Sequence, residues 1–209
     1  MFDRLTRHHT EDVTALAGLI WAGLCVGTLL PSALLWISPQ CSTWLCFLSR
    51  ATFKRSEENC FFGDATNLKV REGSITAMAL CWLFTLGVIR GVYALIEQPL
   101  NSMLYKVWAV AHMLGMHDAA RQVTYLGAFG MGSEKALELY TTLPDAKVQV
   151  LLRSKAEAKA RVQSELTAKK PLAIKGARWT NGSRELKQSE EYPFEFADSI
   201  GTLVSSLFG

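Results

Sequence analysis

The sequence predicts an all-α membrane protein in which two N-terminal transmembrane helices form a helical hairpin and a mainly helical polar tail follows. Hydrophobic residues make up 49% of the 209-residue chain, and they concentrate in two blocks within its first half. The second half is more polar and includes a run rich in Ala, Lys and Glu, residues that favour helices. This distribution of apolar residues favours a membrane protein over a soluble fold.

The first hydrophobic block is residues 13–37, which contain no charged side chain. A bilayer core requires about 20 apolar residues in a helix, and backbone amides in lipid must bond within the segment. The preceding polar segment, 1–12, carries three acidic residues, and the apolar run is longer than a signal-peptide core. We therefore predict an uncleaved transmembrane helix over 13–37, with Trp36 at the membrane interface.

The second block predicts a transmembrane helix over 74–97, with a single charge, Arg90, inside its apolar part. A lone arginine in a span can mark function. Its place near the end of the apolar run favours the simpler interpretation that its side chain reaches the headgroups.

Two spans place the inter-helix loop, 38–73, on one side of the membrane and both termini on the other. The distribution of Lys and Arg does not favour a cytoplasmic tail. The position of the cysteines does favour a cytoplasmic tail. The loop contains cysteines, which suits the oxidising periplasm, and the tail has none. We predict a bacterial inner-membrane protein with both termini in the cytoplasm.

Each predicted span carries two glycines four residues apart. The first has Gly23 and Gly27, and the second has Gly87 and Gly91. Glycines at this spacing share one face of a helix and allow another backbone to approach closely. The pattern predicts packing between helices, either inside the hairpin or between copies in a homo-oligomer.

Three cysteines, Cys41, Cys46 and Cys60, lie between the two blocks. No Cys-x-x-Cys pair occurs among them, so a zinc site is not predicted. A disulfide within this group is possible if the loop faces an oxidising compartment.

No cofactor, metal ion or catalytic group is predicted. His112 and His117 are five residues apart and therefore lie on different faces of a helix, which does not suit a metal site. Gly127, Gly130 and Gly132 have the spacing G-x-x-G-x-G, which differs from the dinucleotide-binding order. The formal net charge of +3 is too small to indicate specific nucleic-acid binding.

The helical tail region, 98–170, is predicted to begin with an amphipathic helix that contains Trp108, either at the membrane interface or facing a core. Ser133 is predicted to start a second helix, and Asp145 a third that continues to Lys170. Residues 171–209 are predicted as a flexible linker and a short C-terminal amphipathic segment, which docks on the tail, the membrane or a partner.

The opening FDRLTRHHTEDV (residues 2–13), followed at once by the first span, resembles the entry-exclusion (surface-exclusion) proteins of IncI-type conjugative plasmids. The layout of two early spans and a polar tail in about 200 residues is similar as well. The resemblance implies a protein that blocks redundant conjugative DNA entry from donors carrying a related plasmid. It implies protein–protein recognition of a component of the donor's transfer apparatus, and no catalytic residues.

The alternative function is a structural membrane subunit of a conjugation or type IV secretion machine, anchored in the same way. A membrane enzyme or a small transporter is a weaker third reading, because two spans with one off-centre charge offer no path for a substrate.

Overall fold

The fold is mixed α/β, so the all-α prediction is wrong. A computed structural model describes residues 12–45, 50–168 and 192–208. The opening 1–11, Cys46 and most of the predicted linker lie outside these ranges. In chain order the described elements are α1 (Leu16–Gly27), β1 (Leu34–Ile37), α2 (Leu68–Ile89), β2 (Tyr93–Pro99), α3 (Trp108–Met116), β3 (Ala120–Tyr125), β4 (Ala136–Thr141), α4 (Asp145–Val148), α5 (Lys155–Ala168) and α6 (Phe194–Leu207), with 3-10 turns at Glu57–Asn59, Met103–Lys106, Leu126–Phe129 and Gln149–Leu151. The four strands of these residues form one sheet in the order β1-β2-β4-β3.

The first hydrophobic block is a helix, a turn and a strand rather than one long helix. Helix α1 ends at Gly27, and the Thr28 hydroxyl donates to the Cys25 carbonyl at 2.8 Å. Pro31 has no amide hydrogen to continue a helix, and Ser32 takes a positive φ of 67°. The twelve residues of α1 measure about 18 Å at 1.5 Å per residue, well short of a bilayer core of about 30 Å.

The second block repeats this order. Helix α2 ends at Ile89, Gly91 turns the chain with a φ of 73°, and β2 follows. Strands β1 and β2 pair in parallel, with Leu34 opposite Tyr93. The two turns are also joined, because the Ser32 amide donates to the Gly91 carbonyl at 2.8 Å.

Helices α1 and α2 run in the same direction, so they do not form the predicted hairpin. Gly23 meets Trp82, and further along both helices Val26 Cγ1 lies 3.9 Å from the Cβ position of Gly87. The strands that follow the helices are parallel as well. An apolar helix–turn–strand unit and a long apolar helix have the same average hydropathy, which is why composition could not distinguish them.

By its contacts the chain divides into two compact units. Among the described residues, the first comprises 12–45, 50–122, 138–143 and Phe208, and the second comprises 123–137, 144–168 and 192–207. The core of the first unit joins α2, α3 and β2. Its fully or nearly fully buried side chains include Trp44, Ala77, Leu80, Phe84, Ala94, Ile96, Met103, Leu104, Val107 and Val110.

The tail also departs from the prediction of mainly helical structure. The segment after Ser133 is strand β4, where Leu137 and Leu139 are both buried two residues apart, the period of a strand. The predicted helix from Asp145 is interrupted after Leu151, and α5 begins at Lys155. The buried residues of β4 therefore follow the period of a strand and not that of a helix.

Candidate functional site

The most prominent surface of the first unit is an apolar face on α1 and α2. It consists of large hydrophobic side chains that are each between 41% and 74% exposed. We define the apolar face as Leu16, Ile20, Trp21 and Leu24 of α1 with Leu68, Ile75, Met78, Trp82 and Ile89 of α2. Exposed apolar patches larger than a few hundred Å² are rare on monomeric soluble proteins and mark contact with a membrane or another protein.

The sequence creates this face because both helices are apolar on two sides. Helix α1 has no charged residue, and α2 has none from Gly73 to Ile89. One side of α2 covers the core, and the other side is left exposed. Within the part of the chain that the structure describes, α2 alone has the length and apolarity of a membrane span, although a third of its most apolar stretch is buried.

The four predicted packing glycines occupy unlike places. Gly23 lies at the contact of α1 with α2, where a Cβ atom would overlap the ring of Trp82. A Cβ at Gly87 would lie 3.0 Å from Leu35 Cδ2. Gly27 has no atom within 4 Å of its Cβ position, and Gly91 lies in the turn after α2. The structure therefore brings Gly23 and Gly87 to close approaches, and a common role for all four stays a prediction.

The three residues predicted at the membrane interface lie on three different elements. Trp36 is half-buried in β1, opposite Leu95 of β2. Arg90 is exposed and directly follows α2 as its C-cap residue. Trp108 starts α3, is exposed, and stacks on His112 with 5.2 Å between ring centroids.

A buried arginine organises the loop between β1 and α2. Arg55 is fully buried, and its Nη1 donates to the carbonyls of Phe61 at 2.8 Å and Phe62 at 2.9 Å. Its Nε donates to the Thr43 carbonyl at 3.1 Å, and its guanidinium carbon lies 3.5 Å from the ring centroid of Trp44.

Arg55 also bonds to the start of α2. Its Nη2 donates to the Val70 carbonyl at 3.3 Å, and its Nη1 donates to Ser74 Oγ at 3.3 Å. Burial lowers the pKa of Arg55 to about 10, so the side chain remains charged at neutral pH. The guanidinium of Arg55 thus connects Thr43, Phe61 and Phe62 of the loop to Val70 and Ser74 of α2.

Two buried carboxylates tie further loops to the sheet. Glu97 Oε2 accepts from the Ser38 hydroxyl at 2.6 Å. Glu138 Oε1 lies 2.5 Å from Arg121 Nε, and its Oε2 accepts from the Asn101 amide at 3.1 Å. The hydrogen bond and charge of Glu138 raise the pKa of Arg121. Across residues 12–45, 50–168 and 192–208, no group of three or more His, Cys, Asp or Glu side chains is placed to hold a metal ion.

The second unit is held together by its C-terminal helix. Phe196 of α6 is buried against Phe129, with 5.0 Å between ring centroids. Arg161 of α5 makes two 2.5 Å bonds to the carboxylate of Glu195 and donates to the Ala128 carbonyl at 3.0 Å. These contacts attach α6 to the rest of the unit.

Sequence reasoning missed Arg55, because nothing distinguishes it from the other basic residues of its loop. It also missed a readable signal at the start of α5. Ser154 and Glu157 form a capping box, in which the Ser154 amide donates to Glu157 at 2.7 Å and the Glu157 amide donates to Ser154 Oγ at 3.2 Å. Comparison of the chain with protein-family models, with curated proteins and with solved structures found no match.

Proposed function

We propose that this protein is an exclusion protein of the bacterial inner membrane, which acts by contact to block redundant conjugative DNA uptake from donors carrying a related plasmid. The main observation in favour of action by contact is the exposed apolar face of α1 and α2. The conjugative context rests on the resemblance of residues 2–13, nearly all of which lie outside the described residues.

The apolar face is suited to contact a membrane from one side of the helices only. Helix α2 covers the core with Val70, Leu80 and Phe84, so lipid does not surround it. Its charged residues, Lys69, Arg71 and Glu72, lie in its first turns, and Arg90 follows its last residue. Arg71 and Arg90 are about 28 Å apart along a helix. A helix of this kind is suited to lie with one apolar face in the membrane. The cytoplasmic placement of both termini stays a prediction.

Recognition of the donor's transfer apparatus is proposed to use the loop between β1 and α2. Arg55 holds this loop against the start of α2 through buried hydrogen bonds. A loop fixed in this way presents its exposed side chains in one arrangement, which lowers the entropic cost of binding a partner. Specificity would then depend on the exposed residues of the loop and of the second unit.

The test expresses the full-length protein alone in a plasmid-free recipient. Uptake of a related conjugative plasmid should fall strongly, whereas uptake of an unrelated plasmid should change little. Ile20→Glu places a charge in the apolar face and should reduce both membrane association and exclusion. The matched control is Met116→Glu, a change of equal charge at an exposed residue of α3 outside that face, and it should retain both.

Normal uptake of the related plasmid despite confirmed membrane expression would refute the exclusion function. If transfer instead requires the protein in the donor, the protein is a structural subunit of the transfer machine.

A further inference from the structure

A groove opens beside the start of α2, on the first unit. Its volume is about 360 Å³, near the lower end of the range for small-molecule sites. The residues that matter for its chemistry are Phe62, Ala65, Arg71, Ser74, Ile75 and Met78. Because Ile75 and Met78 also belong to the apolar face, the groove continues directly into that face.

The groove surface is apolar, and one of its lining residues, Arg71, is basic. Arg71 lines the groove with an exposed side chain. Behind the wall lies the buried cation of Arg55, which donates to the Phe62 carbonyl and to Ser74 Oγ, atoms of two groove residues. The oxygens that accept from Arg55 belong to carbonyls and hydroxyls, so these bonds leave its charge uncompensated.

The other charged groups nearby do not reverse this sign. Asp64 is paired with Lys54 at 3.7 Å between Oδ2 and Nζ. On α2 itself, Lys69 is exposed and adds a positive charge, while Glu72 is half-buried and adds a negative one. The groove therefore suits an apolar ligand with an anionic head.

We propose that this groove binds one acyl chain of an anionic phospholipid, with the headgroup phosphate against Arg71 and the chain over Ile75 and Met78. The proposal rests on the proposed membrane location and names a lipid class for it. Continuity of the groove with the apolar face favours a lipid over a free anion, because the chain passes from the groove into the membrane without crossing water. The positive charge of Arg71 beside the groove favours an anionic headgroup over a zwitterionic one.

The test is flotation of the full-length protein with vesicles of phosphatidylcholine, with and without phosphatidylglycerol. Wild-type protein should bind more when phosphatidylglycerol is present. Arg71→Gln should lower the phosphatidylglycerol-dependent part of binding by clearly more than about fivefold, because about fivefold is the general effect of one basic residue near an anionic surface and the contact with a bound headgroup adds to it. Lys69→Gln is the matched control, because it removes the same charge from the same turn at a residue that does not line the groove.

A second variant, Ala65→Phe, fills the groove without changing charge and should also lower the dependence on phosphatidylglycerol. Equal losses for Arg71→Gln and Lys69→Gln, or no loss for Ala65→Phe, would mean general charge attraction and would overturn the site. Self-association in place of vesicle binding, seen by sedimentation, would show that a second copy covers this face and would also overturn it.

The outcomes separate this proposal from the proposed function. Binding to both kinds of vesicle without preference removes the lipid site and leaves the membrane location intact. Loss of plasmid exclusion in cells has no bearing on flotation, because no plasmid is present in the vesicle experiment.

Discussion

Arg55 shows how one side chain can replace regular structure in a loop. Buried charges usually pair with a carboxylate, whereas the acceptors of Arg55 are carbonyl and hydroxyl oxygens of Thr43, Phe61, Phe62, Val70 and Ser74. The guanidinium supplies a donor to each of these oxygens, and Ser74 Oγ also donates to the carbonyls of Phe62 at 3.1 Å and Val70 at 2.9 Å. The planar fork of arginine can serve acceptors on several sides and stack on an aromatic ring at the same time.

Replacing Arg55 should therefore destabilise the first unit. We expect Arg55→Met to lower the free energy of unfolding by about 3 kcal/mol or more, because several buried acceptors lose their donor. Arg55→Lys should also be destabilising, because an ammonium group cannot reproduce the fork. Urea unfolding followed by tryptophan fluorescence measures the change, since Trp44 lies against the guanidinium.

The control for this prediction is Lys69→Met, which removes a positive charge from an exposed position on α2. It should change the free energy of unfolding by less than about 1 kcal/mol. If Arg55→Met were as stable as Lys69→Met, the loop would not depend on the buried arginine.

At the scale of elements, the repeated helix–turn–strand order explains the parallel pairing of β1 and β2. Each helix leads through a tight turn into its strand, and the turns at Ser32 and Gly91 both use a positive φ. The parallel strands and the close contact at Gly23 hold the two helices side by side. Their outer sides then form one surface rather than two.

The contact between α1 and α2 predicts opposite effects at two glycines of the first block. Gly23→Ala should lower the melting temperature, because the new methyl group overlaps the ring of Trp82 and overpacking costs about 1–3 kcal/mol. Gly27→Ala meets no atom within 4 Å. It should be neutral or stabilising by up to about 1 kcal/mol, since alanine is the better helix former.

Thermal unfolding of the two variants and the wild type measures this difference. Equal melting temperatures for Gly23→Ala and Gly27→Ala would show that the ring of Trp82 moves aside without cost.

On the scale of the whole molecule, an ion pair of the second unit makes the stability of the protein depend on pH. The carboxylate of Glu195 accepts two bonds from Arg161, and these bonds lower its pKa below the ordinary value of 4.5. A carboxyl group whose pKa is lower in the folded state stabilises folding above its unfolded pKa. That contribution is lost as the pH falls through the lowered pKa.

We therefore expect the attachment of α6 to be unchanged from pH 7 to about pH 5 and to weaken below it. The hydrogen-exchange protection factors of Phe194–Leu207, corrected for the intrinsic exchange rate at each pH, should fall below about pH 5. Those of Glu195→Gln should already be lower than wild type at pH 7. Asp198→Asn is the control, an exposed residue of the same helix, and it should behave as wild type. A pH profile that is the same for Glu195→Gln and wild type would contradict a role for this ion pair.

Several features of this protein were determined by the sequence alone. The two hydrophobic blocks contain the helical stretches Leu16–Gly27 and most of Leu68–Ile89, because apolar residues with good helix propensity form helices in most settings. The C-terminal segment, predicted as amphipathic, forms Phe194–Leu207 and buries Phe196 and Leu203. The exposed apolar side chains of α1 and α2 also follow from composition, since neither helix has a polar side over most of its length.

Tertiary structure alone decided which parts of those blocks became strands. Residues 34–37 bond to residues 93–96, which are 59 positions away, and no local pattern in an all-apolar segment records a distant partner. The burial of Arg55 has the same origin, because its acceptors come from separate segments that meet only after folding. A helix satisfies its own backbone and can be predicted from nearby residues, whereas a strand and a buried charge are satisfied only by contacts that folding brings together.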